Sequence, residues 1–227
     1  PRRRRLARRA RTVPARRRVL AIGVERPGSL MAAAALELKR TRHDLTVHTT
    51  PMGAQGKFEH LNALLASTDP ETHDWLIVLD DDIVLPRGFL DAFLAAAEDA
   101  GLALAQPAHR LHGHAAWAIT RRRPDTTRET NFVEIGPLTA FARPAFDALL
   151  PFPAELPMGW GLDVHWSAIA RERGWRIGIV DATPIAHTQR PAGDAYARDE
   201  AVAEARAFLA TRPYVSRDEV RTLAVHP

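Results

Sequence analysis

Three consecutive aspartates stand at the end of the most hydrophobic segment of the chain. Asp80, Asp81 and Asp82 follow the run 75–79, which predicts a buried strand. Adjacent carboxylates repel one another, so the cluster favours a compensating cation or hydrogen bonds. Carboxylate oxygens suit Mg²⁺ or Mn²⁺, which usually take one or two protein carboxylates together with substrate phosphates. The alternative is a solvated acidic turn that caps the helix after Pro86, and these residues alone do not choose between the two.

Alternating strand and helix patterns indicate how the aspartates would be positioned. Segments that predict strands lie at 19–24, 45–50, 75–79 and 102–105. Helical patterns lie between them, at 31–40, from Lys57 onward and from Phe89 to Ala97. This alternation predicts an α/β fold, a single Rossmann-like domain whose central sheet is mostly parallel and covered by helices on both faces. Ligands of such sheets bind beyond the carboxyl ends of the strands, where the three aspartates stand.

The second half of the chain is less regular. The segment 109–128 carries His109, His112 and His114, which either form a separate metal cluster or belong to a loop that lines the acceptor. The absence of cysteine and of a supporting carboxylate motif favours the loop. We expect another strand within 132–141, with antiparallel pairing as one option. Further along, we expect a helix over 164–173, a last strand over 176–181 and a helix over 194–209.

Composition limits the chemistry available to this chain. Its 227 residues and 46% hydrophobic content suit one α/β domain. The lack of cysteine excludes a disulfide framework, a thiol nucleophile and cysteine-ligated zinc. Site chemistry is therefore left to carboxylates, histidines and hydroxyls. Because no run of about 18 apolar residues is present, we expect a cytoplasmic protein whose only membrane contact is peripheral.

Ten arginines lie within residues 1–18, a segment without any acidic residue. An arm of this composition buries too little apolar surface to order itself, so we expect it to be disordered and attracted to phosphates or anionic lipid. A solvated extension is favoured over a specific anchor. Peripheral contact with an anionic membrane stays open, and a nucleic-acid partner is not expected. The expected division is an arm at 1–18, the α/β domain at 19–210 and a tail at 211–227.

One group of residues resembles the donor half of the inverting family 2 glycosyltransferases, which have the GT-A fold. It comprises the segment Gly56–Leu64 together with the strand and aspartates that end at Asp82. The resemblance implies that Asp80 faces the nucleotide of a nucleotide-sugar donor and that Asp82 holds Mn²⁺ or Mg²⁺ on the diphosphate. Asp81 takes either role. Lys57 matches a position near the nucleotide, with a surface lysine in a first helical turn as the alternative.

Other donor-side residues are assigned by position. Asn62 also matches the family's segment near the nucleotide. Glu25 and Arg26 follow the first strand, where family 2 members usually carry a proline-aromatic-asparagine-glutamate segment, and we expect them to contact the nucleotide.

A second group, Gly159-Trp160-Gly161-Leu162-Asp163, resembles the tryptophan-glycine and acidic motif of animal β-1,4-galactosyltransferases. The resemblance implies that Asp163 is the general base, with the N-cap of the following helix as the alternative. Trp160 either stacks on the acceptor sugar or fills the core. The position of His187 resembles that of the histidine that completes the metal site in many GT-A enzymes. An ordinary hydrogen-bonded histidine is the alternative.

The resemblance covers residues 19–190 and implies an inverting, metal-dependent glycosyltransferase. We expect it to move a sugar from a UDP- or GDP-linked donor to a hydroxyl of a saccharide or another acceptor. One alternative is a sugar-phosphate nucleotidyltransferase, although Gly23 and Gly28 do not make the glycine-rich phosphate loop of that class. The other is a noncatalytic carbohydrate- or nucleic-acid-binding module whose affinity comes from the arginine arm.

Overall fold

The computed structural model describes residues 2–111, 113–187 and 198–226. His112 and the first part of the helix expected at 194–209 lie outside the described residues. Within them the strands are β1 (Arg18–Glu25), β2 (Asp44–Pro51), β3 (Trp75–Leu79), β4 (Ile83–Val84), β5 (Leu102–His109), β6 (Thr127–Thr130), β7 (Leu138–Ala142), β8 (Arg176–His187) and β9 (Thr222–His226). The α-helices are α1 (Arg2–Arg9), α2 (Met31–Leu38), α3 (Lys57–Ser67), α4 (Phe89–Asp99), α5 (Phe146–Leu149), α6 (Leu162–Arg173) and α7 (Arg198–Leu209).

A mixed sheet forms the centre of the molecule, with the strand order β2-β1-β3-β7-β5-β8-β6-β9. β1 pairs in parallel with β2 and β3, and β5 pairs in parallel with β8. β7 runs antiparallel to both its neighbours, and β6 is antiparallel to β8 and β9. α2 and α4 cover one face of the sheet, and α3, α5 and α6 cover the other. The expected α/β fold with flanking helices is confirmed.

The expectation of a mostly parallel sheet is wrong, because of how the chain enters β7. We name the edge at which β1, β3, β5 and β8 end the carboxyl edge. The backbone N–H of Asp80 donates to the carbonyl of Pro137 at 2.7 Å, and Leu138 pairs with Leu79 at the end of β3. The segment 131–137 thus brings the chain to the carboxyl edge, so β7 starts there and runs in the opposite direction.

The terminal segments also differ from expectation. The arm is not disordered but forms α1, which packs on α4. Leu6 and Ala10 lie four residues apart and so on one helix face, and Ala10 is buried. Arg9 forms an ion pair with Asp99 at 2.6 Å. The expected tail contributes β9 at the end of the sheet. Contact of the arm with an anionic membrane stays a prediction. Every helix among the described residues is too short or too polar to cross a lipid bilayer.

A buried ion pair holds the irregular excursion between β5 and β6 against the sheet. The guanidinium of Arg128 donates from Nε to Asp181 Oδ2 at 2.7 Å, and both side chains are fully buried. The same guanidinium donates to the carbonyls of Ile119 and Arg121 at 2.8 and 3.0 Å. The backbone N–H of Arg123 donates to Asp181 Oδ1 at 2.7 Å. This network fixes the course of the excursion.

We predict that Arg128→Met lowers the free energy of unfolding by about 3–5 kcal/mol, because the substitution leaves the Asp181 carboxylate buried without its cation. Urea unfolding followed by circular dichroism measures the effect. Arg171→Met is the matched control, since Arg171 pairs with Glu219 on the surface at 3.4 Å, and it should lower that free energy by less than about 1 kcal/mol. Equal effects of the two substitutions would contradict the prediction.

Candidate active site

The three aspartates after β3 point to three different partners, and the first of them is Lys57. Asp80 accepts a hydrogen bond from Lys57 Nζ, whose side chain is 16% exposed. Gly136 lies against this pair: a Cβ there would stand 3.0 Å from Asp80 Oδ2 and 3.9 Å from Lys57 Nζ. Lys57 is therefore not a free surface lysine of the first helical turn. It places a positive charge at the carboxyl edge, beside a carboxylate that stays partly exposed.

The second aspartate is buried and bound to Arg26. Asp81 Oδ2 accepts from the backbone N–H of Arg26 at 2.7 Å and from its Nε at 3.1 Å, and Nη2 donates to Oδ1. Glu25 accepts a hydrogen bond from Thr49 at 2.9 Å. A cleft of about 370 Å³ lies beside these groups and is lined by Glu25, Arg26, Pro27, Gly28, Ser29, Ala32 and Pro51. The charge of Asp81 is thus compensated within the protein, while Glu25 and Arg26 border open space.

The third aspartate meets His187 because of the short strand β4. β4 pairs with β8 so that Ile83 is opposite His187, and this register places Asp82 Oδ2 3.2 Å from His187 Nε2. Burial lowers the pKa of His187, but the hydrogen bond and the charge of Asp82 outweigh it and raise that pKa overall. Asp82 Oδ1 is buried and has no hydrogen-bond partner.

The turn does not cap the helix that follows. The N-cap of α4 is Gly88, which makes no side-chain cap hydrogen bond. The solvated acidic turn considered as the alternative is therefore absent, because Asp81 and Asp82 are both buried.

Two glycines lie where the start of α3 meets the segment that leads into α6. A Cβ on Gly56 would lie 2.4 Å from Pro157, and a Cβ on Gly159 would lie 2.1 Å from the ring of Phe58. Gly159 also has φ +80°, a conformation that L side chains rarely adopt. The backbone of Phe58 donates to the carbonyl of Pro157 at 2.8 Å. Trp160, half-buried, is thereby held next to the start of α3.

Asn62 has a structural role in the same region. Its amide donates to the carbonyl of Phe152 at 2.8 Å and accepts from the backbone N–H of Phe152 at 2.9 Å. Asn62 thus anchors the segment that leads to Gly159, and these bonds use both ends of its side chain within the protein.

Asp163 lies in the first turn of α6 and is buried. The N-cap of this helix is Gly161, so Asp163 is not the cap. Burial raises the pKa of Asp163 and the charge of Glu134 adds to this effect, whereas hydrogen bonds from the backbone of Val164 and from the side chain of Trp117 lower the pKa. The net pKa is about 7. A carboxylic acid with this pKa exchanges protons near neutral pH.

Sequence reasoning did not single out Glu134 or Trp117, and it placed His109 only in an irregular, histidine-bearing segment. Glu134 and His109 are buried and 3.3 Å apart, and Trp117 packs on Phe132 with 4.4 Å between ring centroids. β5 continues to His109, four residues beyond the strand expected over 102–105. A strand extended by four residues would have placed His109 at the carboxyl edge. Glu134 and Trp117 carry no comparable signal, since both lie in irregular segments.

No protein-family model matches this chain, and neither does any curated protein sequence. Solved structures do match. GalNAc-T7, crystallised with UDP, GalNAc and Mn²⁺, aligns with 79% of this chain at a TM-score of 0.60 and 13% identity. The mannosyltransferase PcManGT from Pyrobaculum calidifontis, in complex with GDP-Man and Mn²⁺, aligns with 76% of it at 0.50 and 17%. S. aureus TarS 1–349, in complex with UDP-GlcNAc, aligns with 84% of it at 0.52 and 12%.

These likenesses identify the architecture. The chain has the GT-A fold. The expectation of that fold is confirmed, whereas membership of inverting family 2 stays a prediction. The chain spans 45%, 61% and 65% of the three matched chains, so each of those chains has further segments beyond the part that it shares with this one.

We predict that Asp163 makes the protein less stable as the pH rises through neutrality. Its folded pKa of about 7 lies above the unfolded value of about 3.9, so between these values the folded state holds a proton that the unfolded state lacks. Stability therefore falls as pH increases. Relative to Asp163→Asn, the free energy of unfolding of the wild type should drop by about 2–3 kcal/mol between pH 5 and pH 8.

Urea unfolding at a series of pH values, with EDTA present, measures this difference. Asp147→Asn is the control, because the side chain of Asp147 is 83% exposed, and it should follow the wild-type pH profile. Parallel pH profiles for the wild type and Asp163→Asn would contradict the assignment.

Proposed function

We propose that the protein is a glycosyltransferase that moves a sugar from a nucleoside diphosphate donor to a hydroxyl group of an acceptor. The observation that carries this proposal is the arrangement at the carboxyl edge of a GT-A fold. There the Asp82–His187 pair and the buried carboxyl of Asp163 accompany the cations of Lys57 and Arg26. The matched structures contain UDP, GDP-Man or UDP-GlcNAc, which supports a nucleotide-sugar donor.

Asp82 and His187 fit a divalent cation. A carboxylate and an imidazole are a suitable donor set for Mn²⁺, and the buried, unpartnered Oδ1 of Asp82 has a lone pair free for a ligand. Within 2–111, 113–187 and 198–226, no group of three or more potential ligands is arranged around one point. Such ions commonly keep water and substrate phosphate as their other ligands. A cation held there would neutralise charge that develops on the departing diphosphate.

The donor would lie along the ends of β1 and β3 and the start of β7. The cleft beside Glu25 and Arg26 is open for the nucleoside, as expected for a ligand beyond the carboxyl ends of parallel strands. Asp80 is the most exposed of the three aspartates and can accept hydrogen bonds from a ribose. Lys57, although paired with Asp80, adds a positive charge close to the diphosphate. Asp81 acts indirectly by holding Arg26.

Asp163 is assigned as the general base. A sugar hydroxyl is a weak nucleophile, and a carboxylate within hydrogen-bond reach accepts its proton as the new glycosidic bond forms. The backbone N–H of Val164 donates to Asp163 Oδ1 at 2.9 Å, and the side chain of Trp117 also donates to this carboxylate. These two hydrogen bonds orient the carboxylate. Trp160 would pack against the acceptor sugar. A base on the acceptor side, opposite the leaving diphosphate, implies inversion at the anomeric carbon.

The first prediction from this proposal concerns donor binding. We expect UDP or GDP to bind in calorimetric titrations and Mn²⁺ to strengthen that binding. Asp82→Asn should lower the affinity for the nucleoside diphosphate in Mn²⁺ at least tenfold, because it removes an anionic ligand of the metal. The affinity measured in EDTA should change by less than twofold. The control is Asp44→Asn, which lies on the outer strand β2. A protein that binds neither nucleoside diphosphate would refute the proposal.

The second prediction concerns the base. Asp163→Asn should retain donor affinity but lose about 100-fold or more of the rate of transfer or donor hydrolysis. The wild-type rate should rise with pH through about 7, since the unprotonated carboxylate is the active form. Release of nucleoside diphosphate from a panel of nucleotide sugars, with saccharides or water as acceptors, measures the rate. Unchanged turnover would assign the base elsewhere.

The product distinguishes the proposal from its rivals. Proton NMR of the product should show an anomeric configuration opposite to that of the donor. A nucleotidyltransferase would instead join a sugar phosphate to a nucleoside triphosphate and release pyrophosphate. A binding module would show no turnover with any donor.

A further inference from the structure

Several buried polar atoms near the carboxyl edge have no hydrogen-bond partner. They are Glu134 Oε2, both ring nitrogens of His109 and Gln106 Nε2. His109 Nε2 lies 3.3 Å from Glu134 Oε2, yet the contact lacks hydrogen-bond geometry. Buried donors and acceptors in native proteins are nearly always paired, and leaving one unpaired costs about 1–3 kcal/mol. A concentration of unpaired groups in one place therefore points to a polar partner from outside the chain, either water or the hydroxyl groups of a ligand.

The pair of Glu134 and His109 stands between the two halves of the proposed reaction site. Glu134 is two residues before Gly136, which lies against Asp80 on the donor side. The charge of Glu134 also acts on Asp163 and on His187. The ring of His109 is 6.3 Å from the ring of His187, centroid to centroid. A sugar carried on the diphosphate would occupy this region, because it must reach both the leaving group and the base.

Both residues are rigidly positioned. The backbone N–H of Glu134 donates to Gln106 Oε1 at 2.5 Å, and the Thr139 hydroxyl donates to the carbonyl of Glu134 at 2.7 Å. His109 lies in β5 and pairs with β8, and it is 1% exposed. Groups held by packing and hydrogen bonds on regular elements are suited to selecting a ligand by geometry.

The chemistry of the pair matches the hydroxyl groups of a sugar. An ionised carboxylate only accepts hydrogen bonds, whereas a neutral imidazole offers one donor and one acceptor. A sugar hydroxyl can donate to the carboxylate and accept from the ring at the same time.

We propose that Glu134 and His109 form a subsite that binds hydroxyl groups of the donor sugar and so determines which nucleotide sugar is accepted. This proposal rests on the glycosyltransferase function proposed above. It assigns the two residues to recognition of the sugar, in contrast to Lys57, Asp80 and Asp82, which are assigned to the nucleotide and its diphosphate.

The test compares each nucleoside diphosphate with its sugar conjugates. Calorimetric titrations in Mn²⁺ would use UDP and GDP, and then UDP-glucose, UDP-N-acetylglucosamine and GDP-mannose. For Glu134→Gln and for His109→Asn we expect the affinity for the preferred nucleotide sugar to fall about tenfold or more, because a hydrogen bond to a charged or buried group is lost. The affinity for the diphosphate alone should change by less than twofold.

Glu129→Gln is the matched control. Glu129 also has a histidine partner, with its Oε2 3.8 Å from His226 Nε2, but it lies on β6 opposite Gly178, near the start of β8. It should leave both affinities unchanged. Thermal unfolding of all three variants verifies that they fold.

Two results would overturn the subsite while leaving the proposed function intact. One is wild-type affinity of both site variants for every nucleotide sugar. The other is an equal loss of affinity for the diphosphate and for its conjugates, which indicates a purely structural role. Failure of the wild-type protein to bind any diphosphate or conjugate would overturn the proposed function together with the subsite.

Discussion

Compensation of three adjacent carboxylates is the constraint on which the arrangement of the site depends. Asp80, Asp81 and Asp82 would repel one another if they were left alone at the end of a buried strand. Each meets a cationic or titratable group from a different part of the chain: the start of α3, the end of β1 and the end of β8. The carboxyl edge therefore holds these elements together electrostatically, in addition to the hydrophobic contacts beneath the sheet.

The three pairs differ in whether the aspartate keeps an oxygen that is available to a ligand. Asp81 and Arg26 satisfy each other through three hydrogen bonds and form a closed structural unit. Asp82 retains one buried oxygen without a partner, so its pairing with His187 is incomplete. Asp80 remains partly exposed beside Lys57. Unsatisfied or exposed oxygens are the ones available to a ligand, and the proposed roles follow that division.

Burial has a similar consequence at Asp163, on the proposed acceptor side. Asp163 carries a raised pKa because the desolvation of its carboxylate exceeds the effect of its hydrogen bonds. The same region contains unpaired atoms of Glu134 and His109. Two tryptophans, Trp117 and Trp160, border the site and are only half-buried. Burying a carboxylate and unpaired polar atoms destabilises the folded state, and the extensive apolar packing on both faces of the sheet offsets this cost.

The local sequence pattern determined the α/β class, the strand that carries the aspartates and the helices that begin near Lys57 and Leu162. It could do so because apolar periodicity and glycine or proline boundaries are encoded over a few residues. Pattern could not determine that β7 enters the sheet in reverse, that the arginine-rich arm packs on α4 or that β9 extends the sheet, since each depends on contacts between distant segments. The partners of the aspartates were equally inaccessible. Only the pairing of β4 with β8 brings His187 to Asp82. Only the irregular return of the chain after β6 brings Glu134 to His109. In both pairs the side chains are far apart in sequence, so tertiary packing alone decides that they meet.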